Sequence, residues 1–158
     1  VNQEKGQERE QEREQEQERE QEQGQESKLE PPGTSMRCKY VRLFADDQGE
    51  SHFEEVEADL HSTDFAPPAP PLEVSEFLDA QRAAFFGAPG GWSGDWHPAP
   101  ARNLFVVIEG EWEVEASDGT AKRFGPRTVL LVEDTFGKGH RSRVTSDDSS
   151  LALLVQLT

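Results

Sequence analysis

From Tyr40 onward the chain breaks into short apolar runs, each stopped by a Gly, Pro or Asp cluster within about 8 to 12 residues. A chain punctuated this often cannot build a long helix, and no stretch shows the sustained 3.6-residue apolar period that one needs. The clearest run is Leu104 to Ile108. After Glu109-Gly110, the residues Trp112, Val114 and Ala116 share one face of a strand, while Glu111, Glu113 and Glu115 share the other. Ser117-Asp118-Gly119-Thr120 is a hairpin turn of the Asp-Gly kind. Ala121 to Phe124 returns from it, Gly125-Pro126 turns again, and Val129 to Val132 is a buried run. A glycine-bearing loop over residues 134 to 139 precedes two more strands, His140 to Val144 and Leu151 to Leu157.

Upstream, Tyr40 to Phe44 alternates as a strand and ends at the turn Asp46-Asp47-Gln48-Gly49. His52 to Leu60 has the irregular pattern of an edge strand. Phe65 to Leu72 reads FAPPAPPL, too rich in proline for a central strand, and is expected as an extended crossing. Phe77 to Ala88 supplies a strand that Pro89-Gly90-Gly91 ends. About eight or nine short strands without a long helix argue for an all-β barrel or sandwich. Closure into a barrel or a double-sheet roll also removes unpaired edges.

Residues 2–26 are of another kind, a low-complexity tract of Gln, Glu and Arg without an apolar stripe. It has nothing to bury, so a disordered N-terminal tail is expected over residues 1–35 and one folded domain over 36–158. Met36 immediately precedes the first segment of globular composition. The tail is therefore either a solvating or partner-binding extension or a stretch upstream of the true gene start. Residues 1–30 hold eleven Glu against five Lys or Arg, and the whole chain carries a net charge of −16. Such a surface does not neutralise phosphates, so neither nucleic acid nor an anionic membrane is an expected partner. The single cysteine, Cys38, excludes an intramolecular disulfide and reads as an incidental thiol. No run approaches the roughly 18 apolar residues of a membrane helix, and the N-terminus lacks the apolar centre of a secretion signal. A cytoplasmic protein is the expectation.

Two histidine-bearing segments narrow the fold further. Gly91 to Gly110, GWSGDWHPAPARNLFVVIEG, resembles the first motif of the cupin superfamily, with Gly91, His97 and Gly110 on the motif's spacing. That motif's second His and its Glu fall at Ala99 and Asn103. Gly125 to Val144 resembles the second motif, with His140 at its histidine, Gly137 in the turn before it, and Val144 where the motif ends in Asn. The resemblance covers roughly residues 40 to 157. It implies a cupin-type double-stranded β-helix, a jelly-roll barrel, and within the superfamily a small single-barrel member.

The resemblance also implies a site. Metal-bearing cupins surround one ion with three imidazoles and a carboxylate, and this chain keeps His97 and His140 of that set. A divalent metal wants three or four good ligands. The resemblance therefore leaves either one divalent transition metal (Fe, Mn, Ni or Zn) held by His97, His140 and an acid such as Asp95, Glu133 or Asp134, or none. The expected ligand pocket comprises Trp96, His97, Asn103, Phe105 and His140, with His97 and His140 as candidate catalytic groups. Three functions stay open: a binder of a small organic molecule; a metal-dependent or metal-free enzyme of isomerase, lyase or oxygenase type; and a non-catalytic dimeric interaction module. A homodimer through the early strands is implied by resemblance. His52 is expected at a surface or interface, His61 exposed, and Glu111, Glu113 and Glu115 as a solvated strand face.

Overall fold

The computed structural model describes residues 36–158, so the tail expected over 1–35 lies outside the described residues. Eleven strands follow one another: β1 (Arg37–Ala45), β2 (Ser51–Asp59), β3 (His61–Thr63), β4 (Leu72–Val74), β5 (Ala80–Ala88), β6 (Asn103–Glu109), β7 (Trp112–Ala116), β8 (Ala121–Phe124), β9 (Val129–Glu133), β10 (His140–Val144) and β11 (Ser150–Leu157). No helix occurs among the described residues. Every strand expected from the apolar runs is present. The short β3–β4 hairpin is additional, because three-residue strands are too brief to show a period. The proline-rich stretch forms its loop.

The strands form a six-stranded sheet in the order β2-β1-β9-β6-β11-β5, a three-stranded sheet in the order β10-β7-β8, and the separate β3–β4 pair. Within the large sheet only β1 and β9 run parallel. The inner faces of the two larger sheets meet in one core that includes Leu43, Val107, Trp112, Val114, Leu130 and Val132. Leu43 is wholly buried, and a side chain of that size contributes about 2 kcal/mol by leaving water.

The alternation read in β7 holds. Trp112, Val114 and Ala116 are buried, and the glutamates face out, where Glu113 pairs with Arg143 and Arg123 and Glu115 with Arg141. These arginines hold the Glu113 carboxyl below its ordinary pKa, Arg143 most strongly. The β7–β8 turn is set by Gly119 at φ 88° and by Asp118, whose Oδ1 accepts the Thr120 amide at 2.8 Å. One irregular segment completes the small sheet. Residues 92–97 run antiparallel to β10, bridging at Ser93–Arg143 and at His97–His140.

Candidate functional site

His140 opens β10 after the glycine-bearing loop, and His97 stands opposite it in a backbone-paired position. The His97 amide donates to the His140 carbonyl at 2.9 Å, and the His140 amide donates back at 3.0 Å. Side chains of such a pair project to the same side of the sheet, and the two ring centroids are 4.8 Å apart. Gly139 makes the approach possible. Its φ is +72°, and a Cβ there would lie 2.1 Å from the His97 carbonyl oxygen. The glycine expected only as a loop residue is thus the close-contact point between the two motif segments.

Hydrogen bonds fix how each ring is presented. His97 Nδ1 lies 2.7 Å from the Asp95 carbonyl oxygen, an acceptor only, so Nδ1 carries the proton and donates. His140 Nδ1 lies 2.7 Å from Asp134 Oδ2. Asp134 is fully buried, its Oδ2 also accepts the Ser51 hydroxyl at 3.1 Å, and its Oδ1 has no partner. A carboxylate behind an imidazole fixes the tautomer and the ring orientation. When the rings are neutral, Nε2 is the bare nitrogen of each.

Both rings line a cavity of about 260 Å³. Phe86, Trp92, Phe105 and Trp112 form its aromatic wall, packed edge to face, with Phe105 and Trp112 at 86° and Trp92 and Trp112 at 62°. Leu130 and Val132 from β9 and Ala99 close the aliphatic side. Asn103 is 6% exposed and also lines the cavity, its Nδ2 donating to the Ala101 carbonyl at 2.6 Å. No Lys, Arg, Asp or Glu lines it. His140 is buried, whereas His97 is exposed and stands at the rim.

Of the five residues expected in the pocket, the structure brings together His97, Asn103, Phe105 and His140. Trp96 stands apart. Next to His97 it points to the other side of the segment, is 41% exposed, and lies 5.2 Å beneath the Arg141 guanidinium. Strand neighbours face opposite ways, so the residue beside a pocket histidine points away from the pocket. Phe86, Trp92 and Trp112 are wall residues outside the expected set, and Phe86 is the one that no pattern could place. In Ala83-Ala84-Phe85-Phe86 both faces are apolar, so alternation cannot say which phenylalanine turns inward.

The acids proposed to complete a metal shell are placed elsewhere. Glu133 is on the outer side, paired with Arg42 and Arg102, which hold its carboxyl below the ordinary value although burial pushes it up. Asp95 Oδ1 accepts the Trp96 amide, and Asp134 sits at the Nδ1 edge of His140, behind the ring. Ala99 is a buried alanine. Among the described residues no three His, Cys, Asp or Glu side chains are grouped to hold a metal ion. The donor set therefore does not fit the four-ligand centre that the cupin resemblance implies.

No protein-family profile matches the chain. No curated protein matches it. Solved structures do align. A cupin 2 conserved barrel domain protein from Leptotrichia buccalis is 13% identical over 78% of this chain and 79% of its own, with a TM-score of 0.40. One from Salinispora arenicola is 16% identical over 64% and 76%, with a TM-score of 0.39. An RmlC-like cupin with a double-stranded β-helix from Methanocaldococcus jannaschii is 11% identical over 65% and 91%, with a TM-score of 0.38. The described residues thus form an all-β double-stranded β-helix, with both histidine-bearing segments meeting at one cavity.

Proposed function

We propose that this protein binds a small, uncharged organic molecule inside the barrel, held by its apolar body and by one O–H or N–H donated to the imidazoles. The observation that carries the reading is the pair of rings at 4.8 Å on one aromatic-walled cavity, each with Nδ1 engaged elsewhere. Two bare Nε2 atoms accept hydrogen bonds, and a wall without formal charge favours a neutral guest. A cavity of about 150 Å³ holds benzene, so 260 Å³ accommodates a single substituted ring or an aliphatic molecule of similar bulk.

Phenol and toluene are probes of equal size that differ in one O–H group. Calorimetric titration of the full chain is expected to give phenol the tighter binding by about five- to tenfold, the worth of roughly one hydrogen bond. His97→Ala and His140→Ala should each reduce that preference toward unity while circular dichroism stays unchanged. Equal affinity for the two probes in the wild-type chain would overturn the proposal.

A second reading has its own support in the Asp134–His140 pair. An imidazole backed by a buried carboxylate is the arrangement of a positioned general base. Its Nε2 could take a proton from a bound weak acid and return it to a neighbouring atom, as isomerase or lyase chemistry requires. Asp134 is then a positioning residue acting through His140.

A further inference from the structure

A second cavity, of about 580 Å³, opens between the large sheet and β8 and shares no lining residue with the histidine cavity. Its walls come from β1, β2, β8 and the turn that leads into β9. Tyr40, Val56, Phe124 and Val129 give it an apolar side. The rest is charged. Lys39, Lys122, Arg123 and Arg127 line it with Glu55 and Glu57, four cations against two carboxylates, in a chain whose net charge is −16. A cleft of one sign set in a molecule of the other draws the opposite charge to itself.

The cations are not used up by the protein's own acids. Lys39 and Lys122 reach Glu57 and Glu55 only at 3.7 and 3.5 Å, and Arg123 reaches Glu111 and Glu113 at 3.3 Å. Exposed pairs of this kind hold their partners weakly. Among the described residues Arg127 pairs with no carboxylate.

Arg127 also sits where an arginine is a poor choice for the backbone. Of the seven left-handed residues among those described, six are glycines, and the seventh is Arg127 at φ 71°. Glycine takes that conformation freely, whereas a residue with a Cβ is strained in it. The turn is fixed from both sides. The Arg127 amide donates to the Val107 carbonyl at 3.1 Å, and the Thr128 amide donates to the Gly125 carbonyl at 3.2 Å. A strained residue held by its surroundings points to a working side chain. Glycine would serve this turn better, so what the arginine adds is its guanidinium at the cleft.

We propose that this cleft is a second binding site, for an apolar molecule that carries a phosphate monoester. The surplus of two positive charges matches the roughly −1.5 to −2 that such an ester bears at neutral pH. Arg127 supplies the planar fork that takes two phosphate oxygens, and Lys122 a flexible second cation. The apolar body lies against Tyr40, Val56 and Phe124. The histidine cavity has no charged side chain on its wall, so the two sites sort their guests by charge.

Calorimetric titration of the full chain with 1-naphthyl phosphate tests this, with inorganic phosphate as the comparison. One equivalent of the ester should bind, at least about tenfold more tightly than inorganic phosphate, which lacks the apolar body. Raising the salt from about 0.05 to about 0.5 M should weaken it severalfold. Arg127→Gly removes the guanidinium and relieves the turn, so it should weaken the ester at least about tenfold while urea stability stays equal or rises. His140→Ala should leave the ester's affinity unchanged. An ester that does not saturate, that binds no better than inorganic phosphate, or that is indifferent to Arg127→Gly would overturn the site. So would binding lost in His140→Ala, which would place the ester in the other cavity.

Discussion

His52 shows how a residue outside both motifs can stabilise the barrel. Its Nε2 lies 3.0 Å from Asp46 Oδ2, and its Nδ1 lies 2.9 Å from Asp118 Oδ2. Two acceptor-only partners require both nitrogens to donate, which only the imidazolium can do. The hydrogen bond to Asp46, then that to Asp118, raises the His52 pKa above its ordinary 6.5. The same contact lowers Asp46. At Asp118 burial pushes upward, but the Thr120 and His52 hydrogen bonds outweigh it and the net direction is down. The histidine's contribution is therefore complete below about 6.5 and fades as pH rises through its raised folded value. The carboxylates' contribution fades as pH falls below about 4. The melting-temperature gap between wild type and His52→Ala should be widest near about pH 5 to 6 and narrow by about pH 9. A gap that is constant or grows with pH would contradict the imidazolium bridge.

At the scale of elements, the site depends on a loop and an irregular strand meeting through glycines. Gly139 touches the His97 carbonyl, and Gly49 and Gly137 pack backbone to backbone, where a Cβ on Gly137 would come within 2.3 Å of the Gly49 carbonyl oxygen. The Lys138 amide donates to that same carbonyl at 2.9 Å. The turn after β1 thus pins the loop that aims His140. An alanine at 139 meets a left-handed φ, worth about 1–2 kcal/mol, and also a backbone overlap. Gly139→Ala should lower urea-denaturation stability by at least about 2 kcal/mol and weaken phenol binding. A change within about 0.5 kcal/mol would mean that the two segments do not meet as described.

Much of the whole molecule was legible because a strand's period and its turn residues are local. The Asp-Gly hairpin, the alternation of β7 and the buried run of β9 each name their own element. His97 and His140 were legible through the resemblance of their two segments to the cupin motifs, which implies that both face one interior. What stayed hidden depends on three-dimensional approach. The part played by Asp134 rests on the path of the loop over 134 to 139, which no pattern of polar and apolar residues encodes. The choice between Phe85 and Phe86 rests on register within an all-apolar strand. Trp96 was placed by its proximity in sequence to a pocket histidine, where alternation sends it outward.

The central claim is that one cavity receives two imidazoles with their Nε2 atoms bare. Long-range ¹H–¹⁵N NMR of the full chain at about pH 8, where ordinary histidines are neutral, reads the tautomer of each ring directly. The account predicts Nδ1–H for both His97 and His140, and perturbation of both Nε2 signals by a single equivalent of bound phenol. An Nε2–H tautomer in either ring, or a response confined to one histidine, would contradict it.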